Sequence, residues 1–310
     1  MTATSPAITL NNDVEIPALG FGVFLTPPEE TASAVETAIG DGYRLIDTAA
    51  AYLNEHQVGE GIRRAGIVRS ELFVTTKLWV ADYGYDKARR AFDTSLRKLG
   101  LDFLDLYLLH WPVPSDFDDT VAAWKAAETL LGEGRVRAIG VCNFTAAHLE
   151  QLLAQTEIVP AVNQVELHPF LTQTGLQENN RRLGIVTQAW SPIGGVYGRN
   201  PDAAPDSARS PMDHPVVTGI AAHHDKTPPR SCSAGTCSRD VRPSPSRFTP
   251  SGSPRTSTSS TSPSTTTSSR RSTAWTPAGG PVRTPKPSTP VPSRSPSTRP
   301  DGDDLHPFVR

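Results

Sequence analysis

The feature that most constrains this chain is a short aliphatic run followed by an amphipathic helix, a pattern that recurs along its first 190 residues. The repeat of about 30 residues is the size of a strand–helix unit. The strand candidates are Arg44–Asp47, Phe73–Lys77, Leu104–His110, Ala138–Cys142, Val162–Glu166 and Ile185–Trp190. Strands that alternate with helices form a parallel sheet with helices packed outside it. Eight such units close an α/β barrel, so this pattern predicts an incomplete barrel of six units.

Local signals agree with these elements. A helix predicted over Asp86–Leu99 carries its apolar residues on one face and is followed by Gly100, a typical helix terminator. Thr145 is placed to cap a later helix. Before the first unit, Ala7–Leu10 and Val14–Pro17 flank an Asn-Asn-Asp turn, which predicts a small hairpin.

Charge and cysteine content exclude several classes of protein. A formal net charge of -2 gives no reason to expect a nucleic acid or an acidic membrane surface as partner. The three cysteines, Cys142, Cys232 and Cys237, are too few and too unevenly spaced for a disulfide framework. The sequence shows neither a signal peptide nor a membrane span. We therefore expect a cytoplasmic monomer without a nucleic-acid or membrane partner.

The composition changes sharply after residue 228. In residues 251–300 roughly two thirds of the positions are Ser, Thr or Pro, and Leu, Ile, Met, Phe, Tyr, Asp and Glu are missing. Such a segment buries too little apolar surface to offset its ordering entropy. We therefore predict a barrel domain over residues 1–228 and a disordered, low-complexity tail over residues 229–310.

Polar side chains end several of the predicted strands, although buried parallel strands are usually apolar throughout. These residues are Asp47, Lys77, His110, Asn143 and Gln164. Three of them have an ordinary structural interpretation: Asp47 as a helix cap or a satisfied structural carboxylate, His110 as a hydrogen-bonded core residue, and Lys77 with its ammonium reaching water. Their shared position at the carboxyl ends of parallel strands, where barrels hold their active sites, favours a functional site.

These residue types suit proton transfer to an oxygen. A buried pair of Asp47 and Lys77 can lower the pKa of a nearby phenol, and Tyr52 lies five residues beyond Asp47. His110 can orient a carbonyl oxygen. The sequence has neither a metal-binding motif nor the glycine-rich fingerprint of a Rossmann fold, so we expect no metal, and any nicotinamide must bind in another way.

The sequence resembles the aldo-keto reductase family over nearly all of residues 7–228. The motifs that carry the resemblance are IPALGFGVF at Ile16–Phe24, GYRLIDTAAAYLNEHQVGEGI at Gly42–Ile62, LFVTTKLW at Leu72–Trp79, LDLYLLHWP at Leu104–Pro112, VRAIGVCNF at Val136–Phe144, NQVELHP at Asn163–Pro169 and QAWSPIGG at Gln188–Gly195. The resemblance implies a (β/α)8 TIM barrel that reduces a small carbonyl substrate with NADPH. It also implies a catalytic tetrad of Asp47, Tyr52, Lys77 and His110, with Tyr52 as the general acid.

The resemblance further assigns the cofactor contacts. Asn143 and Gln164 are implied to hold the nicotinamide carboxamide, Trp190 to stack on the ring, and Ser191 to lie beside it. Cys142 stands where the family usually has a serine, and a thiol is the weaker hydrogen-bonding partner. Two more aromatics, Trp79 and Trp111, are implied to wall the substrate pocket, with packing at the barrel mouth as the alternative.

The last elements of the family pattern are not visible after Lys226-Thr227-Pro228. When codons are reread from each third base, Pro228–Ser238 can encode AQVLLSWHLQ, Arg242–Arg247 can encode SIPKS, and Gly252–Ser262 can encode IAENIDVFDF. These segments match the missing elements in order. We therefore interpret the tail as an out-of-frame translation that follows loss of one nucleotide near codons 227–229. A genuine Ser/Thr/Pro tail is the alternative.

Two hypotheses about function follow. The first is a reductase of small aldehydes or keto-sugars such as diketogluconate, by family analogy. The second is a non-enzymatic product that lacks strands seven and eight, cannot close its barrel, and lacks the cofactor's phosphate site.

Overall fold

The computed structural model of the protein describes residues 5–194 and 210–230. It begins with the expected hairpin, in which β1 (Ala7–Thr9) pairs antiparallel with β2 (Glu15–Pro17). Seven parallel strands follow, whose order in the sheet is their order in the sequence. These are β3 (Gly20–Gly22), β4 (Leu45–Asp47), β5 (Phe73–Leu78), β6 (Leu104–Leu109), β7 (Val136–Cys142), β8 (Val162–Glu166) and β9 (Val186–Trp190). The predicted tail lies outside the described residues from position 231 onward.

Six helices connect successive strands, and a seventh follows β9. They are α1 (Pro28–Gly40), α2 (Glu55–Ala65), α3 (Tyr85–Leu99), α4 (Phe117–Gly132), α5 (Ala146–Leu153), α6 (Thr174–Arg182) and α7 (Pro215–His223). Helix α3 matches its prediction to within one residue and ends at Leu99, with Gly100 as its C-cap at a φ of 67°. Thr145 caps α5 by accepting a hydrogen bond from the backbone N–H of His148, as expected. Within the described ranges, no helix is long and apolar enough to cross a membrane.

The predicted count of six strands is wrong, because β3 was missed. This strand has three residues, two of them glycine, and so lacks the β-branched composition that signals a strand. A β-carbon at Gly20 would lie 2.7 Å from the side chain of Leu45 in β4, so close strand packing explains this glycine. The described part of the chain is therefore an incomplete (β/α)8 barrel with seven parallel strands, and it falls short of eight by one strand rather than two.

Buried side chains form two layers, one on each face of the sheet. The outer layer lies between strands and helices and includes Phe92, Tyr107 and Trp124. The inner layer fills the barrel and contains Leu10 and Ile16, which come from the hairpin. The hairpin therefore closes the amino-terminal end of the barrel, opposite the strand ends that carry the polar residues.

Two amides fasten the hairpin turn to the far side of the barrel. Asn11 Nδ2 donates to the carbonyl oxygen of Pro160 at 3.1 Å. Asn12 Nδ2 donates to the carbonyl oxygen of Arg137 at 2.9 Å. The Asn-Asn-Asp turn thus joins the start of the chain to β7 and to the segment before β8.

Burial declines from the middle of the sheet to its ends. Every residue of β5 and β6 is buried, whereas every residue of β9 is only partly buried. In β3 both glycines are exposed. Strands β3 and β9 are the two ends of the sheet, and no strand within the described ranges pairs with their outer edges.

Candidate active site

The carboxyl ends of β4, β5 and β6 bring the predicted tetrad together. Asp47 is the last residue of β4, Lys77 lies near the end of β5, and His110 directly follows β6. Tyr52 ends a short 3-10 turn, Ala50–Tyr52, just after β4. Parallel pairing of these neighbouring strands aligns their ends, so one edge of the sheet presents all four side chains.

The ammonium of Lys77 is the centre of the site, and its side chain is completely buried. It forms an ion pair with the Asp47 carboxylate. It also donates to the carbonyl oxygen of Thr48 at 3.0 Å and to the phenol oxygen of Tyr52 at 3.3 Å. The buried cation is thus neutralised by one carboxylate and directed at one phenol, as the sequence predicted.

His110 lies on the other side of the phenol. Its ring meets Tyr52 edge-on with centroids 5.7 Å apart, and it meets Trp79 in the same way at 5.3 Å. Its Nδ1 atom is buried without a hydrogen-bond partner among the described residues. The tetrad therefore combines an ion pair, a phenol and an imidazole in a single contact group.

The expected lowering of the pKa of Tyr52 is wrong for this structure. Burial raises the pKa of Tyr52 to about 12. The Lys77 ammonium opposes this shift, as predicted, but it is outweighed by burial, and Asp47 adds to the rise. The phenol therefore keeps its proton at neutral pH, which leaves it able to donate one.

The other two titratable groups are also held in one state. Burial, followed by repulsion from Lys77, lowers the pKa of His110 to about 3, so its imidazole is neutral. Burial favours loss of the proton from Lys77, but the Asp47 carboxylate and Tyr52 together raise the pKa above its ordinary value. Lys77 is therefore a permanent cation beside a neutral histidine.

Gln164 links the predicted cofactor residues to the tetrad. Its Nε2 donates to the second carboxylate oxygen of Asp47 at 2.8 Å and to Gln188 Oε1 at 3.0 Å. Its Oε1 accepts a long contact of 3.7 Å from the thiol of Cys142. Burial raises the pKa of that thiol to about 12, so Cys142 is a neutral and weak donor.

Asn143 is held between two other site residues by its side chain. It directly follows β7 with a φ of 65°. Its Nδ2 donates to the His110 carbonyl oxygen at 3.1 Å and contacts Cys142 Sγ, while its Oδ1 accepts from Trp190 Nε1 at 3.0 Å. Ser191 follows Trp190 in a turn, where its carbonyl oxygen accepts from the Gly194 N–H at 2.9 Å.

The two predicted pocket tryptophans differ in position. Trp79 is partly buried against His110, whereas Trp111 is 43% exposed and its carbonyl oxygen accepts from the Tyr83 hydroxyl. Phe24, which the sequence did not single out, is 47% exposed and packs on Tyr52 with ring centroids 5.0 Å apart. Phe24 therefore contacts the phenol and Trp79 contacts the imidazole.

Comparison with known families decides the assignment, because the model of the Aldo/keto reductase family matches residues 18–232. The chain belongs to the aldo/keto reductase family. Among the described residues, no group of three or more His, Cys, Asp or Glu side chains could hold a metal ion.

Characterised relatives of this aldo/keto reductase are oxidoreductases. The chain is 56% identical to morphine 6-dehydrogenase of Pseudomonas putida over 227 residues, 73% of this chain and 76% of that protein. It is 45% identical to glyoxal reductase of Bacillus subtilis over 227 residues, 73% of this chain and 76% of that protein. The chain is therefore an oxidoreductase of a family that reduces carbonyl groups with nicotinamide cofactors.

A solved member of the aldo/keto reductase family agrees with the fold. The Bombyx mori aldo-keto reductase, crystallised in complex with NADP, matches with a TM-score of 0.68 at 37% identity. The match covers 74% of this chain and 79% of that one. This chain thus shares its fold and its family with a protein crystallised in complex with NADP.

Sequence reasoning missed two contacts of this aldo/keto reductase site. Gln188 is a strand residue that bonds to Gln164, and Phe24 packs on the phenol. Gln188 stands two residues before Trp190, and residues two apart in a strand share a face, so strand periodicity could have found it. Phe24 lies in an irregular loop, where no periodicity applies.

Proposed function

We propose that this chain reduces aldehydes or ketones with NADPH, and that Tyr52 supplies the proton to the carbonyl oxygen. The observation that carries the proposal is the Tyr52 hydroxyl, 3.3 Å from a fully buried lysine that is itself paired with Asp47. A phenol that keeps its proton at neutral pH can donate it when negative charge develops on an adjacent oxygen. The ammonium behind it stabilises the phenolate that remains.

His110 is the second group in this proposal. Because its pKa is lowered to about 3, it acts as a neutral hydrogen-bond donor and does not repel the nearby ammonium. Its ring and the Tyr52 ring meet edge to face, so both can approach one oxygen atom. The flanking Trp79, Trp111 and Phe24 offer apolar surface to the rest of the substrate.

The residues at the mouth of the barrel fit a nicotinamide group. Asn143 and Gln164 present amides that match a carboxamide, and Trp190 presents an indole beside them. Bound nicotinamide supplies the hydride in carbonyl reduction. The proposal assigns Asn143 and Gln164 to its carboxamide, Trp190 to its ring, and Cys142 and Ser191 to the surrounding contacts.

NADPH, rather than NADH, is proposed because the Bombyx mori relative was crystallised with NADP. The names of two relatives suggest substrates for testing, a small dicarbonyl such as glyoxal and a fused-ring ketone corresponding to oxidised morphine. A small aldehyde or keto-sugar is the proposed class. The chain is proposed to act as a cytoplasmic monomer.

Replacing Tyr52 by Phe tests the proposed chemistry. Loss of NADPH absorbance with glyoxal should slow by about 100-fold or more, because a general acid contributes on that order. Quenching of tryptophan fluorescence by NADPH should stay near that of the unaltered chain, since only the hydroxyl is removed. A Tyr52→Phe variant that keeps more than about a tenth of the rate would refute the assignment.

A second candidate is favoured by the half-exposed ends of the sheet. In this candidate the chain has no reductase activity. The seven parallel strands of the described residues leave the outer edges of β3 and β9 unpaired, and the sequence after Pro228 lacks the family pattern that would complete the cofactor's phosphate site. Sequencing the DNA around codons 225–232, and then assaying the chain with its present sequence and with a restored frame, separates the two. Cooperative unfolding and NADPH turnover by the chain of this sequence, with its intact mass confirmed, would contradict the second candidate.

Frame restoration also tests the cofactor assignment. The restored chain should bind NADPH more tightly than NADH, because the final units of the family pattern supply the cationic groups for the 2′-phosphate. Titration of tryptophan quenching with both cofactors measures the difference. Equal affinities in the restored chain would contradict the choice of NADPH.

A further inference from the structure

A buried amide follows the phenol in the turn that carries it. Asn54 is 1% exposed and lies two residues after Tyr52. Between them, Leu53 has a φ of 59° and is 76% exposed. A leucine in this left-handed conformation is strained, so contacts on either side must hold the turn in place.

The Asn54 side chain uses both of its polar ends within the core. Its Oδ1 accepts a hydrogen bond of 3.0 Å from the Thr48 hydroxyl. Its Nδ2 donates to the carbonyl oxygen of Val23 at 3.0 Å. One amide therefore joins the Tyr52 turn, the end of β4 and the segment after β3.

Both partners of Asn54 contact the tetrad by other routes. The carbonyl oxygen of Thr48 accepts from the Lys77 ammonium at 3.0 Å. Val23 donates its N–H to the Asp47 carbonyl oxygen at 3.2 Å, and the residue after it, Phe24, packs on Tyr52. Moving the amide would therefore disturb the segments that position Asp47, Lys77 and Phe24 around the phenol.

The next residue fastens the same turn to β5. Glu55, the first residue of α2, is 1% exposed and accepts a hydrogen bond of 2.8 Å from the Thr76 hydroxyl, beside Lys77. This contact holds the helix, whereas the Asn54 contacts hold the turn itself. The carboxyl end of the segment from Tyr52 to Glu55 is thus held by two residues, Asn54 and Glu55, each through its own side-chain hydrogen bonds.

We propose that Asn54 is a positioning residue that, through Thr48 and Val23, holds the Tyr52 hydroxyl against the Lys77 ammonium. This inference rests on the proposed role of Tyr52 as proton donor. Proton transfer depends steeply on distance, and a shift of about 1 Å can lower a rate by about 100-fold. Loss of the amide contacts should therefore slow the chemical step while leaving cofactor binding intact.

Paired substitutions at Thr48 provide the sharpest test. Thr48→Val removes the hydroxyl that Asn54 accepts from and keeps the shape, whereas Thr48→Ser keeps the hydroxyl. Thr48→Val should lower kcat for glyoxal reduction by about tenfold or more, with the Kd for NADPH within about twofold. Thr48→Ser should restore kcat. Asn54→Asp, which keeps the acceptor but loses the donor to Val23, should give an intermediate rate.

A solvent isotope effect separates positioning from loss of folded protein. In Thr48→Val the ratio of kcat in H2O to kcat in D2O should rise, because proton transfer becomes rate-limiting. A smaller folded fraction would lower the rate without changing this ratio. The matched control is Asn180→Ala in α6, since Asn180 is equally buried and donates to Thr187 at 2.9 Å, away from the tetrad. It should lower thermal stability without raising the ratio.

The substitutions are made in the full-length chain, with its present sequence and with a restored frame. The inference is overturned if Thr48→Val and Asn54→Asp keep the unaltered kcat and isotope ratio, or if Thr48→Ser loses as much kcat as Thr48→Val. The proposed function fails separately, if Tyr52→Phe stays active or neither form of the unaltered chain turns over NADPH.

Discussion

The middle of the parallel sheet and its two ends are packed to different degrees. Strands β5 and β6 are buried along their whole length between the barrel interior and the helices. Strand β9 is partly buried throughout, and two of the three residues in β3 are exposed. A parallel strand of this sheet is therefore well buried when a strand pairs with both of its edges, and less buried when a strand pairs with only one.

This difference divides the site. Lys77 and His110 belong to the well-packed middle. Burial there keeps His110 neutral, whereas Asp47 and Tyr52 keep Lys77 charged against the effect of burial. Gln188 and Trp190 belong to β9, and they reach the rest of the site through hydrogen bonds to Gln164 and Asn143. Lys77 and His110 are thus positioned by fully buried strands, while the proposed nicotinamide contacts depend partly on the less buried strand β9.

The largest expected effect tests the middle region. Lys77→Met removes the cation that faces the phenol and leaves the Asp47 carboxylate without its ion pair. Reduction of glyoxal should slow by about 100-fold or more, because stabilisation of the phenolate is lost. The initial rate of NADPH consumption measures this, with Lys125→Met on an exposed face of α4 as control. Comparable rates for the two variants would remove Lys77 from the mechanism.

A pair of core truncations compares the two regions directly. Leu108 in β6 is fully buried in the barrel, whereas Val186 in β9 is only partly buried against the same cluster. Leu108→Ala should lower the free energy of unfolding by about 2–5 kcal/mol, and Val186→Ala by about 1 kcal/mol or less. Urea unfolding gives both values. Similar losses per removed methylene group would show that the end of the sheet is as well packed as its middle.

Cys142→Ser probes the contact between Cys142 in β7 and Gln164 in β8, the residue that is bonded in turn to Gln188 in β9. A serine hydroxyl donates more strongly than the thiol that now lies 3.7 Å from Gln164 Oε1. Better support of Gln164 should tighten NADPH binding by about two- to tenfold, the value of one modest hydrogen bond, without a change in kcat. Fluorescence titration measures the Kd, and Cys142→Ala, which has no donor, should not tighten it. Tighter binding by the alanine variant would count against this role.

The smallest expected effect is an absence of pH dependence. Tyr52 stays protonated below its pKa of about 12, and His110 stays neutral above its pKa of about 3. The kcat for carbonyl reduction should therefore be nearly constant from about pH 5 to pH 9. A change of slope near pH 6.5 in the plot of kcat against pH, absent in the His110→Gln variant, would contradict the lowered pKa of His110.

The same histidine makes stability depend on pH. Its pKa is lower in the folded chain than the ordinary 6.5, so the unfolded state binds more protons below that value. Stability is therefore full above about pH 6.5 and falls as the pH drops toward 3.

The strands of the tetrad were predictable because they recur at about 30-residue spacing, and the site was predictable because Asp47, Lys77 and His110 share a position at the carboxyl ends of these strands. The six strand predictions are confirmed, with ends that shift by at most two residues. Strand β3 was not predictable from β propensity, because two of its three residues are glycine. A β-carbon at Gly20 would lie 2.7 Å from the Leu45 side chain, whereas one at Gly22 would meet nothing within 4 Å. The reason for Gly20 is its contact with Leu45, which is 25 residues away in the sequence and becomes a neighbour only in the folded chain.

The charge states of the site were predicted less well than its members. The sequence predicted that the pair of Asp47 and Lys77 lowers the pKa of Tyr52. Lys77 does act in that direction, but Asp47 raises this pKa. The sequence provides no measure of burial, which acts in the opposite sense to Lys77 and is larger. The competition between a nearby charge and desolvation depends on packing around Tyr52, and Phe24 contributes to that packing from another segment.

The hairpin that closes the barrel has a consequence for the order of folding. Asn11 bonds to a carbonyl group 149 residues further along the chain, and Asn12 to one 125 residues further. At a synthesis rate of about 5–20 residues per second, Pro160 is added on the order of 7–30 s after Asn11. During that interval Leu10 and Ile16 have no barrel to enter. The first segment made is therefore among the last to reach its final contacts, and a ribosome that stalls before residue 160 leaves its apolar face exposed.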